Sequence, residues 1–189
     1  MENIKSNGSL FVAVTGAQGV GKSTFAQKIY EQTERLPSTT ACLLNGLGQS
    51  IRAFGIPVGS AASADSIASV YAAHIERERK VKADIVVLDR CAIDALAYVR
   101  CLSKTSKSLS NLYEQVSASM FRNISLVVRL EKSGIFEQRK ADHESDELRD
   151  CVDTQILSIT KEYGLNTISL NAAVDGAIEQ VMCSIAKVR

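Results

Sequence analysis

Leu10-Phe-Val-Ala-Val-Thr15 followed by Gly16-Ala-Gln-Gly-Val-Gly-Lys-Ser23 constrains this chain more than any other stretch. A short apolar run, rich in β-branched and aromatic residues, reads as a buried parallel strand. Gly-x4-Gly-Lys-Ser directly after it is the phosphate-binding loop pattern, and Phe25, Ala26, Ile29 and Tyr30 mark the helix that must follow. Gly16, Gly19 and Gly21 let the backbone aim several N–H groups at one anion. Lys22, expected to stand exposed in the loop, adds a full positive charge, and the Ser23 hydroxyl can ligate magnesium. The helix N-terminus also favours phosphate. Gly16, Gln18, Gly19, Gly21, Lys22, Ser23 and Thr24 are the expected nucleotide-binding set.

With 189 residues, 46% hydrophobic and 23% charged, the chain reads as one soluble globular domain over residues 1–189. A net charge of +1 gives no global attraction to nucleic acid or to a membrane surface, and neither is expected as a partner. No apolar stretch reaches the roughly 18 residues of a membrane span. The N-terminal Met1-Glu-Asn-Ile-Lys-Ser-Asn-Gly8 lacks the apolar core of a signal peptide. The five cysteines, Cys42, Cys91, Cys101, Cys151 and Cys183, are odd in number and scattered without a Cys-x-x-Cys. That reads against a zinc site and against a disulfide framework, and for small buried residues in a reducing compartment. The cytoplasm is the expected location.

Further strands are expected at Ala41–Leu44, Asp84–Asp89, Ile124–Leu130 and Thr167–Leu170. Between them, Gln49–Phe54 suggests a short helix, and Ile56–Asp65 a loop of small residues. Asp65–Lys82 suggests a long helix with His74 on its apolar stripe, read as a packed, hydrogen-bonded histidine. Glu76-Arg-Glu-Arg-Lys80 reads as a solvated face. Helices are expected at Ala92–Leu102, which carries Asp94, Tyr98 and Arg100, at Asn111–Arg122 and at Asp146–Tyr163, with a polar hinge over Ser103–Ser110. Asn171 is the expected cap of a last helix with a stripe of Val174, Ala177, Ile178, Val181, Met182 and Ile185. Alternating strands and helices imply a parallel α/β sheet with right-handed crossovers. Asp89 ends its apolar strand as the acid of a second nucleotide-site element does. At the carboxyl end of that strand it arrives beside the loop, able to hold magnesium. Arg90 follows it, and a structural ion pair is the competing account of the two.

The chain has no Asn-Lys-x-Asp guanine signature and no Leu-Ser-Gly-Gly-Gln, which counts against a GTPase and a transporter ATPase. An arginine-bearing stretch over residues 131–145 is laid out as the mobile lid of a small-molecule kinase. Asp89-Arg-Cys-Ala-Ile-Asp-Ala-Leu-Ala-Tyr98 resembles the Asp-Arg-x3-Asp-x-Leu-Ala-Tyr stretch of the AAA-domain kinase family that includes ribosylnicotinamide kinases. Arg139-x2-Asp142 with Glu147-Leu-Arg149-Asp-x-Val-Asp153 is similar to that family's lid and following helix. The resemblance implies a three-layer P-loop NTPase fold whose five-stranded parallel sheet runs in the order 2-3-1-4-5. It implies an ATP-dependent kinase with Mg2+ held by Ser23 and Asp89. Lys22 and Arg139 would stabilise the transferring phosphoryl group, with Lys140 and Arg149 as alternatives to Arg139. A nucleoside- or nucleotide-like acceptor would lie between Asp89, Arg90 and the Arg52 region. Where such kinases often place an acid after the second strand, this chain has Asn45 and Gln49. That departure favours the alternative of a non-catalytic nucleotide-binding switch. A homodimer is left open.

Overall fold

Six consecutive buried residues, Leu10–Thr15, form β1, the central strand of a five-stranded sheet. The computed structural model describes residues 8–102, 107–132 and 145–189. After β1 come α1 (Lys22–Thr33), β2 (Ala41–Leu44), α2 (Leu47–Ala53), α3 (Ala64–Lys80) and β3 (Ile85–Asp89). Then follow α4 (Ala92–Cys101), α5 (Lys107–Phe121), β4 (Ile124–Leu130), α6 (Asp146–Glu162), β5 (Thr167–Leu170) and α7 (Ala177–Val188). The sheet order is β2-β3-β1-β4-β5, and every pair is parallel. All five strands lie where their apolar runs placed them.

Alternation along β1 divides the core in two. Leu10, Val12 and Val14 pack against Phe25 and Ile29 of α1 and Val181 and Ile185 of α7. Phe11 and Ala13 face the other side, against Ile93 and Leu96 of α4 and Ile156 of α6. A strand covered on both faces must be apolar at every position, which is why these runs do not alternate in sequence. Each fully buried Val or Ile contributes about 1.5–3 kcal/mol. The result is three layers, helices on both faces of the sheet.

Four expectations need correction. α3 starts at Ala64, because the Ser66 N–H donates to Ser63 Oγ at 3.2 Å and the Ser63 N–H donates to Ser66 Oγ at 2.6 Å. Serine at both positions thus closes a capping box, and the helix starts one residue before the expected Asp65. α5 begins at Lys107, so residues 107–110 are helical, not hinge, while 103–106 lie outside the described residues. Asn171 does not cap α7: its Oδ1 accepts the Ala173 N–H at 3.0 Å in a local turn, and Gly176 at φ +81° leads into the helix. Finally, Cys101 and Cys151 form a disulfide across 50 residues of sequence, joining the end of α4 to α6. Of the other cysteines only Cys91 is buried, Cys42 being half-buried and Cys183 exposed. Among the described residues no helix is long and apolar enough to cross a membrane.

Candidate active site

The chain leaves β1 through Gly16, whose φ is +144° and where a Cβ would lie 2.5 Å from the Leu130 carbonyl oxygen. Only glycine fits that approach. Gly21, left-handed at φ +85°, then turns the backbone into α1. The first-turn N–H groups of α1 have no partner within the helix, and Ser23 and Thr24 stand exposed there. Lys22 is not exposed as expected. It is 5% exposed, and its Nζ donates to the Ala17 carbonyl oxygen, folding the charge into the loop itself.

Pairing of β1 with β3 sets Asp89 opposite Val14, one strand spacing from the loop, about 4.8 Å. Asp89 is 8% exposed, and its Oδ1 has no hydrogen-bond partner among the described residues. An orphaned buried carboxylate oxygen is costly unless a cation or donor reaches it. Ser23 and Asp89 therefore fit a magnesium ion of the kind that takes few protein ligands and completes its shell with phosphate and water oxygens. Among the described residues no group of three or more His, Cys, Asp or Glu could hold a metal ion on its own.

Arg90 lies at φ +68°, with its N–H donating to the Val14 carbonyl at 3.1 Å. Its guanidinium is 3.5 Å from Asp94 Oδ1, and Asp94 Oδ2 accepts the Cys91 N–H at 3.1 Å. The ion pair at this corner thus joins Arg90 to Asp94. Asp94, 3% exposed, is a site residue that the sequence reading quoted but gave no role. Its spacing of four from Arg90 at a helix start was the available signal.

A cavity of about 450 Å³ opens over these strand ends, bounded by the loop, α2 and α3. Ser23, Asp89, Arg90, Asp94, Arg52 and His74 contribute polar walls, and Ile51, Ile67 and Val70 an apolar one; Asn45 and Gln49 line it too. His74 is packed and hydrogen-bonded as expected, 3% exposed with Nδ1 3.0 Å from the Arg77 guanidinium, yet it also lines this cavity. Burial holds its pKa below the ordinary 6.5, so the imidazole is neutral at neutral pH. Arg139 and Lys140 lie outside the described residues. Among the described residues Arg149 of α6 reaches the loop, its Nε donating to the Gln18 carbonyl at 3.2 Å.

A glycine-turned loop closing the central strand, an acid on its neighbour and the order 2-3-1-4-5 define a P-loop fold of the kinase type. The family model described as AAA domain matches residues 11–179, and the chain belongs to that family. Its fold is shared with solved kinase structures. Deoxyadenosine kinase from M. mycoides, with products dCMP and a flexible dCDP bound, superposes with TM-score 0.68 at 13% identity over 95% of this chain and 100% of that one. NadR protein in complex with NR gives TM-score 0.74 at 18% identity, covering 95% of this chain and 51% of NadR. NadR with NAD and AMP-PNP gives 0.69 at 16%, over 95% and 49%. No curated protein sequence matches the chain.

Proposed function

We propose that this protein is an ATP-dependent kinase that transfers the γ-phosphoryl group to a hydroxyl of an uncharged, nucleoside-like acceptor. The observation that carries this reading is the balance of charge in the cavity beside Ser23 and Asp89. Two arginines, Arg52 and Arg90, meet two carboxylates, Asp89 and Asp94, and His74 is neutral. A phosphate monoester in the acceptor position needs a surplus of cationic donors, and the described residues of this lining offer none. An apolar wall of Ile51, Ile67 and Val70 suits the face of a flat ring. That the fold's solved relatives were captured with NR, dCMP or dATP supports a nucleoside-like acceptor.

The residues divide the work as follows. Backbone N–H groups of the Gly16–Ser23 loop and the α1 N-terminus bind the β and γ phosphates, and Lys22 neutralises charge there. Ser23 and Asp89 would hold magnesium, which when bound neutralises the phosphate oxygens during transfer. Asp89 also orients the attacking hydroxyl. Arg90 and Asp94 fix the acceptor over the strand ends. Arg149, already on the loop at Gln18, supplies guanidinium charge where negative charge develops on the transferring group. Asp94 supplies this cavity with a carboxylate where Asn45 and Gln49 supply none, which supports the kinase reading over a switch.

The test is a panel of nucleosides and their monophosphates incubated with γ-labelled ATP. Label should enter nucleosides, with monophosphates at least about tenfold poorer in kcat/KM, the scale of one unfavourable charge contact. Preferential labelling of monophosphates would overturn the charge argument.

A further inference from the structure

Arg77 belongs to the stretch that reads as a solvated face, and the fold puts it elsewhere. Half-buried, it turns its guanidinium inward across the ends of two strands. One terminal nitrogen donates to the carbonyl of Leu44, the last residue of β2, at 3.3 Å. The other donates to the carbonyl of Arg90, just past β3, at 2.7 Å, and lies 3.0 Å from His74 Nδ1. A guanidinium has no acceptor to offer, so His74 Nδ1 must be the accepting nitrogen and the ring proton sits on Nε2.

The Arg90 carbonyl that Arg77 grips belongs to a residue at φ +68°. A left-handed backbone at a bulky residue persists only where the surroundings fix it. Here they do so from three sides: Val14 takes the Arg90 N–H, Arg77 supplies a donor to its carbonyl, and Asp94 meets its side chain. We propose that Arg77, oriented by His74, is a positioning residue that locks the left-handed turn at Arg90 and thereby sets where Asp89 and Arg90 face the cavity. Neither Arg77 nor His74 touches the reacting atoms in this account. It rests on the kinase reading for its effect on rate, but not for its effect on backbone shape. Lysine could not substitute, because a single ammonium cannot span Leu44, Arg90 and His74 as a planar fork does.

The brace also makes the turn sensitive to acid. A protonated His74 would present an N–H to the Arg77 cation. The charged groups facing the ring are Arg77 and Glu78 on α3 and Asp94 on α4, with Arg90 at the end of β3 paired to that same Asp94. Glu78, 3.7 Å away, and Asp94 favour the proton, but burial outweighs them and holds the ring neutral. The brace therefore stays complete through the ordinary value of 6.5 and is lost only as pH falls through the lowered folded value.

The experiment uses Arg77→Ala, His74→Asn and His74→Leu in the full chain. Arg77→Ala should bind AMP-PNP as the wild type does by calorimetry while nucleoside kcat drops about a hundredfold, the usual penalty of a misplacement near 1 Å. Added guanidinium ion should restore part of that rate. His74→Asn, whose amide oxygen can stand where Nδ1 stands, should lose the acid limb of the kcat profile. His74→Leu should lose the rate at every pH. A crystal structure of Arg77→Ala should show Arg90 relaxed to negative φ. An Arg90 still left-handed in that structure, or in His74→Leu should Arg77→Ala not fold, overturns the proposal. So does an unchanged kcat in a folded Arg77→Ala. If no nucleoside is phosphorylated by the wild type, the kinase reading fails, and the Arg90 conformation alone decides for or against the brace.

Discussion

Asp89 on the neighbouring strand and Arg149 on α6 both belong to the surroundings of the loop, and their chemistry predicts different failures. Asp89→Asn keeps the shape of the side chain but removes its charge, so turnover should drop by at least about a hundredfold while ATP still binds. Wild-type turnover in that variant would reduce Asp89 to a structural acid. Arg149→Ala should lower kcat with little change in ATP affinity, because ground-state phosphates are already held by the loop. Loss of ATP affinity without loss of kcat would make Arg149 a ground-state ligand instead; both constants come from one steady-state series. Local spacing made the loop residues and Asp89 legible, since each sits in a pattern that is itself contiguous. Arg77 was not legible. Its partners are backbone carbonyls at two strand ends and a histidine one turn back, so its run of charges looked like any solvated helix face. Lys22 was legible in position but not in burial, because the Ala17 carbonyl that draws it inward is revealed only when the loop closes.

At the scale of elements, strand positions followed from their apolar runs, while helix ends depended on contacts that the sequence does not advertise. Ser66 returning a hydroxyl to Ser63 moved the start of α3, and a turn closed by Asn171 displaced the start of α7. The Cys101–Cys151 disulfide is the largest departure, and it withdraws the cysteine-based argument for a reducing compartment. In the chain-entropy account, a bridge closing 50 residues stabilises by about 4 kcal/mol, which for a chain of this size corresponds to roughly 8–16 °C in Tm. Dithiothreitol should lower Tm by that order in the wild type and leave Cys101→Ser unmoved. A thermal scan that does not respond to reductant, with five free thiols by titration before it is added, would contradict the bridge.

For the whole molecule, the alternation of strand and helix predicted a parallel α/β sheet, and the Asp89–Tyr98 resemblance supplied its order. That order has a physical consequence: β1 and β3 are neighbours, so the loop and Asp89 share one edge of a single cavity. What sequence could not supply was the cavity's charge balance, which depends on Asp94 and His74 arriving from two helices that only tertiary packing brings together. The central claim is that ATP on the loop gives its phosphoryl group to an acceptor in that cavity. The most direct measurement is a single-turnover rapid quench with ATP and the best nucleoside of the panel, following ADP and phosphorylated nucleoside together. The account predicts that both appear at one rate and in equal amounts, and that Asp89→Asn slows both alike. ADP formed with only inorganic phosphate beside it, or no ADP at all, would contradict it and leave a nucleotide-binding switch.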